Sequence, residues 1–182
     1  FSDFYGSGQA AAAEVVSEVE FAWRESAADA KWVAVTGTNG KTTTTALIAH
    51  VLRHAGFDAA AVGNIGDTCI EAVAAGETEV YVAEVSSYQL ASTRDFAPNA
   101  AVVLNITPDH VAWHRSHENY AAAKWKVLAN LKRTPGAMAI LVACDEEVRA
   151  AIRAARKAGG FPFPYVPVGT AAGVGGDMRA AC

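Results

Sequence analysis

The chain has 182 residues, 52% of them hydrophobic, with 15 Lys and Arg against 19 Asp and Glu, a net charge of −4. That length accommodates one α/β domain with flanking pieces, and the apolar fraction is ample for a core. The acidic balance and the lack of a Lys/Arg run argue against a nucleic-acid binder, and no apolar stretch reaches membrane-spanning length. No signal-peptide pattern opens the sequence, and Cys69, Cys144 and Cys182 are odd in number with no Cys-x-x-Cys pair, so a reduced, cytoplasmic setting is expected.

Residues 1–13 are small and polar and read as loop. Between Glu14 and Glu25 the apolar positions Val15, Val19, Phe21 and Trp23 fit a strand or a helix equally well. From residue 31 the pattern alternates. Strands are expected at 32–36, 59–62, 80–85, 100–106, 137–143 and 163–168, several as continuous apolar runs of the kind buried on both faces of a parallel sheet. Helices are expected at 41–55, 68–75, 88–95, 117–131 and 145–158. The first should bury Leu47, Ile48, Val51, Leu52 and Ala55 on one face. The alternation predicts an α/β fold, a mostly parallel sheet flanked by helices, with ligands at the carboxyl ends of the strands. The organisation expected is a preceding segment at 1–30, a central domain at 31–168 and a Gly/Ala-rich tail at 169–182.

Four clusters follow four predicted strands: Gly37-Thr-Asn-Gly-Lys-Thr42, Gly63-Asn-Ile-Gly66, Glu84-Val-Ser-Ser-Tyr-Gln89 and Asn105-Ile-Thr-Pro-Asp-His110. The first is a Gly-bounded turn between strand and helix, the recipe for holding phosphates on backbone N–H groups and a helix N-terminus. Lys41 adds a full charge toward the outer phosphates, and the Thr42 hydroxyl suits Mg²⁺. Glu84 ends an apolar run, where a carboxylate serves either as a helix-cap acceptor or as a hard-oxygen metal ligand. Asn64 suits a turn or a polar contact with substrate. His110 sits at a strand's carboxyl end, a place for ligand or acid–base work. Lys124 falls in the middle of the apolar stripe formed by Tyr120, Val127, Leu128 and Leu131. It either snorkels out of that stripe or faces the site as a neutral or modified lysine. His50 and His54 have no visible third partner and read as a solvated face; Trp113 and Trp125 read as packing residues.

Taken together, these residues resemble the Mur ligases, which build the peptide of bacterial peptidoglycan. The phosphate loop 36–43 is shorter than the usual P-loop and matches the family. The three other clusters, with Tyr120-Ala-Ala-Ala-Lys124, look most like the members that add D-glutamate to UDP-N-acetylmuramoyl-L-alanine. The resemblance implies a P-loop NTPase-like central domain that binds ATP through Gly37, Thr38, Asn39, Gly40, Lys41, Thr42 and Thr43. It implies one Mg²⁺ on Thr42 and Glu84 and a second on His110 and a carbamylated Lys124. Lys41, His110 and Lys124 would then be catalytic, with Asn64, Ser86 and Gln89 toward the muramoyl substrate. It further implies a monomer, an acyl-phosphate intermediate, and a central domain of a longer enzyme that is inactive alone. Two positions depart from the family pattern: Ala112 stands where an acidic residue is expected, and Arg115 where glycine is expected. The competing readings are a sibling ligase, including a folylpolyglutamate synthase, and a non-catalytic P-loop nucleotide-binding module, which would need neither His110 nor Lys124.

Overall fold

The computed structural model describes residues 15–169; the expectations for 1–13 and for most of the tail lie outside them. The ambiguous segment forms helix α1 (Glu18–Glu25), started by Ser17, whose hydroxyl accepts from the Glu20 N–H. Val19 and Ala22 are fully buried against the sheet. The chain then runs β1 (Lys31–Thr36), α2 (Lys41–His54), β2 (Ala59–Gly63), α3 (Cys69–Ala75), β3 (Val80–Glu84), α4 (Ser87–Ala91) and β4 (Ala100–Val103). It continues through α5 (Val111–His114), α6 (His117–Trp125), two 3₁₀ turns (Lys126–Leu128 and Leu131–Arg133), β5 (Met138–Val142), α7 (Glu146–Lys157) and β6 (Tyr165–Val168).

The six strands form one sheet in the order β2-β3-β1-β4-β5-β6, and every pairing is parallel. The continuous apolar runs explain this: β3 is buried at all five positions, which only a two-sided environment tolerates. One face packs α1, α3, α4, α6 and α7 through residues such as Leu90, Tyr120, Val148 and Ile152. The other carries α2 over Val35 and Val82.

Three expectations need correction. Helix α2 turns Thr45 and Ala49 inward, with Ile48 and Leu52 half-buried, while Leu47 and Val51 stay 58% and 56% exposed and Ala55 is exposed too. Small inward residues let the helix lie close to the sheet, and the larger apolar side chains are left on its flank. Helix α4 ends at Ala91 because neighbouring hydroxyls take its carbonyls: Ser92 Oγ donates to Gln89 O and Thr93 Oγ1 to Leu90 O. The N–H groups of Arg94 and Asp95 then go to the buried Glu20 carboxylate of α1. The segment expected as one helix over 117–131 breaks at Trp125 into 3₁₀ turns, where Ala129 N–H bonds to Lys126 O and Lys126 Nζ reaches across to Ala91 O.

Candidate functional site

The four clusters meet at the carboxyl ends of β1 to β4. The loop after β1 turns at Gly40, whose φ of 82° is left-handed and which caps α2. Gly37 is required by space: a Cβ there would lie 2.9 Å from the Leu104 Cβ. The 105–107 segment fastens the loop. Asn105 accepts from Asn39 N–H at 2.8 Å on its side chain and from Thr38 N–H at 2.9 Å on its backbone, and donates to Asn39 O at 3.0 Å. Thr38 Oγ1 takes the Thr107 N–H at 3.0 Å and shares a 2.9 Å bond with the Tyr120 hydroxyl. The loop's shape is therefore set before any ligand arrives. Lys41 Nζ folds back onto Thr38 O at 3.0 Å.

Glu84, at the end of β3, is buried. Its carboxylate accepts from Thr42 Oγ1 at 2.8 Å and from Asn64 Nδ2 at 2.9 Å. Gly63 makes this approach possible: with φ at 99°, a Cβ would stand 2.6 Å from Glu84 O. Thr42 and Glu84 thus offer two adjacent hard oxygens beside the phosphate loop, the donor chemistry Mg²⁺ takes. Asn64, read from sequence as a turn or substrate residue, orients that carboxylate through one Nδ2–H and is itself exposed.

Lys124 does not snorkel. It is 2% exposed, and Nζ donates to Gly37 O at 2.7 Å, with the Tyr120 ring centroid 4.8 Å away. Burial, reinforced by the charge of Lys41, holds its pKa at about 8, while Asp109 and Glu84 pull the other way. The sequence stripe that made Lys124 conspicuous therefore aims it at the underside of the phosphate loop.

His110 adopts a left-handed backbone, φ 49°, an arrangement that strains a non-glycine residue and recurs at functional sites. Its imidazole lies 3.6 Å from the Asp109 carboxylate and its ring centroids are 5.0 Å from Tyr88 and 6.0 Å from Tyr120. His110 and Lys124 thus share Tyr120 as a neighbour. Ser86 and Gln89 form a capping box on α4: Ser86 Oγ accepts from Gln89 N–H, and Gln89 Oε1 accepts from Ser86 N–H at 2.9 Å. Their oxygens are engaged within the protein, which leaves the Gln89 NH₂ group as the part of the pair to turn toward a ligand.

Sequence reasoning passed over His114. It is buried, shares a 3.0 Å hydrogen bond with Ser87 Oγ, and stacks on Tyr88 with centroids 5.6 Å apart. Burial, with His110 and Lys124 adding to it, lowers its pKa. Trp113, read as a packing residue, stands edge-on to Tyr88 and His114 while remaining 45% exposed; Trp125 packs against the core.

The family description Mur ligase middle domain matches residues 35–163, a span that contains every residue of this site. The chain belongs to the Mur ligase family. It is 47% identical over 121 residues to a UDP-N-acetylmuramoylalanine–D-glutamate ligase of Corynebacterium efficiens, covering 63% of this chain and 26% of that protein. It is 42% identical over 154 residues to the enzyme of the same name from Rhodopseudomonas palustris, covering 83% and 32%. The chain spans about a quarter to a third of the length of these curated relatives. Among solved structures it shares the fold of a MurF ligase from Thermotoga maritima in complex with ADP (TM-score 0.62, 18% identity, 85% of this chain and 36% of that one). It also shares the fold of a UDP-N-acetylmuramoyl-L-alanyl-D-glutamate–2,6-diaminopimelate ligase (TM-score 0.59, 23% identity, 78% and 32%). One departure from the Mur ligase pattern now has a physical reading. Arg115 sits at φ 69°, a left-handed C-cap that glycine adopts without strain.

Proposed function

We propose that these residues are the ATP-binding part of a longer cytoplasmic, monomeric ligase that joins D-glutamate to UDP-N-acetylmuramoyl-L-alanine. The observation that carries the reading is the convergence of Lys41, Thr42, Glu84 and the buried Lys124 on one braced phosphate loop, together with relatives of that name. Among the described residues no helix is long and apolar enough to cross a membrane.

In this reading the loop N–H groups and Lys41, released from Thr38 O, hold the β- and γ-phosphates of ATP. Thr42 and Glu84 hold one Mg²⁺, and His110 with Lys124 hold a second. Bound Mg²⁺ supplies the positive charge that lets a carboxylate approach a γ-phosphate. The alanyl carboxylate oxygen attacks the γ-phosphorus and ADP leaves. The D-glutamate amine then attacks the acyl carbon, an amide forms, and phosphate departs with the former carboxylate oxygen. Lys124 serves as a metal ligand once carbamylated: its neutral amine adds to CO₂ and loses a proton, giving an anionic two-oxygen group. A lysine titrating at about 8 is neutral in roughly a quarter of molecules at about pH 7.5. This removes the main obstacle to that reaction. Thr43 lies in the first turn of α2, and Gln89 and Ser86 at the start of α4 face the same strand ends; these two and Asn64 are assigned to the muramoyl substrate.

The test uses the full-length ligase carrying this domain, following phosphate release with ATP, Mg²⁺ and UDP-N-acetylmuramoyl-L-alanine while only the amino-acid acceptor is varied. Release that requires D-glutamate supports the proposal. Release with another acceptor reassigns the chain to a sibling ligase, and nucleotide binding without acceptor-dependent release favours a binding module.

A further inference from the structure

Helix α5 is a single turn, Val111–His114, and the chain enters and leaves it in left-handed conformations, φ 49° at His110 and 69° at Arg115. Backbone of this kind persists in non-glycine residues only where the surroundings hold it. Inside the turn, the N–H groups of Trp113 and His114 both go to His110 O at 3.1 Å. One short turn is not stable by itself, so the hold comes from outside. Val111, Ala112 and Trp113 are exposed, and His114 is the only buried residue of α5.

An apolar side chain is the ordinary anchor for such a turn. Here the anchor is an imidazole, and its polar atom is engaged. His114 Nε2 shares its 3.0 Å bond with Ser87 Oγ, and Ser87 is itself buried. Ser87 is the first residue of α4, between Ser86 and Tyr88. The Tyr88 ring lies nearly parallel to the His114 ring, at 19°, and also reaches His110, with centroids 5.0 Å apart. Tyr120 stands edge-on to both imidazoles, 5.3 Å from His114 and 6.0 Å from His110. The two histidines therefore meet the same two tyrosines. Asn119 Nδ2 closes the end of the turn by donating to His114 O at 2.9 Å. The phosphate loop is braced by different residues, Asn105 and Thr107.

We infer that His114 is a positioning residue: its bond to Ser87 pins the turn that carries His110 onto the start of α4, and so holds His110 where it can join Lys124 on the second Mg²⁺. His114 acts through His110, and its own ring is buried away from solvent. Losing the bond leaves a buried polar atom unpaired and frees the strained turn to relax, which moves His110. The inference rests on the assignment of His110 to Mg²⁺ above.

The test uses the full-length ligase and four variants. His114→Leu and Ser87→Ala remove the hydrogen bond from either end, and Ser87→Ala, the smaller change, keeps the test decisive if His114→Leu does not fold. His114→Gln offers an amide toward Ser87 in place of Nε2, and His110→Ala removes the metal ligand itself. The first readout is amide hydrogen exchange of the metal-free protein. Residues 108–116 are expected to exchange about ten times faster in His114→Leu and Ser87→Ala, with the strands unchanged, and at the wild-type rate in His114→Gln. The second is D-glutamate-dependent phosphate release against Mg²⁺ in excess over ATP. The Mg²⁺ concentration giving half the maximal rate is expected to rise about tenfold in the same two variants, with KM for ATP at saturating Mg²⁺ unchanged. An unchanged Mg²⁺ response overturns the inference whatever the exchange shows. So does a loss in which KM for ATP and the Mg²⁺ response move together, the mark of a general structural role. If His110→Ala raises the Mg²⁺ requirement while His114→Leu and Ser87→Ala do not, this inference alone fails. If His110→Ala responds to Mg²⁺ as the wild type does, the metal assignment fails and takes the inference with it.

Discussion

Replacing Lys124 by methionine keeps the length of a side chain that is 2% exposed and removes its titration. In the native protein Lys124 titrates at about 8 instead of its ordinary 10.5. Below about pH 8 both folded and unfolded chains carry the proton, and the folded state bears the full cost of a buried ammonium. Between the two values the unfolded chain binds more protons, so folding stability rises with pH. At about 1.4 kcal/mol per unit, this group alone adds about 3 kcal/mol as pH rises from about 7.5 to about 10.5. The assay is urea unfolding of wild type and Lys124→Met followed by tryptophan fluorescence, in CO₂-free buffers across that range. Subtracting one curve from the other cancels every shared titration. The predicted difference grows in favour of wild type by about 1.4 kcal/mol per pH unit within the window. Two parallel curves would refute the claim that the lysine is held near neutrality by its burial.

Three further substitutions read other parts of the site. Arg115→Gly relieves the left-handed backbone at φ 69° and should stabilise the fold by about 1 kcal/mol, seen as a higher melting temperature; an unchanged or lower one contradicts the strain. Gly63→Ala sets a Cβ 2.6 Å from Glu84 O, so it should cost about 2 kcal/mol or more and weaken Mg²⁺-dependent nucleotide binding; a fully active, equally stable variant would show that the approach is not needed. Glu84→Gln keeps the side chain's size while removing its charge. Calorimetric titration should find ATP affinity largely independent of Mg²⁺, and retention of the wild-type Mg²⁺ dependence would remove Glu84 from the metal site.

Much of this was legible in the sequence, for reasons that can be named. The strands announced themselves because both faces of a parallel sheet are apolar, and the phosphate loop because its turn demands glycine at 37 and 40. Lys124 stood out because a charged residue interrupted an apolar stripe. Ser86 and Gln89 were read only toward substrate, and the capping box they form across α4's first turn came from the structure. Other features depend on partners distant in sequence. The end of α4 is fixed partly by Glu20, 74 residues away, and no local pattern records that. His114 is buried only because Tyr88 and Tyr120 arrive from two other helices. Periodicity found apolar residues on α2, but it could not tell the flank that meets the sheet from the flank that stays exposed.

The central claim is acyl-phosphate chemistry at this phosphate loop, and oxygen transfer tests it most directly. UDP-N-acetylmuramoyl-L-alanine labelled with ¹⁸O in its terminal carboxylate is turned over by the full-length ligase with ATP and D-glutamate, and the released phosphate is examined by mass spectrometry. The account predicts one labelled oxygen per phosphate, carried from the carboxylate when the amine displaces it. Amide product accompanied by unlabelled phosphate would contradict it.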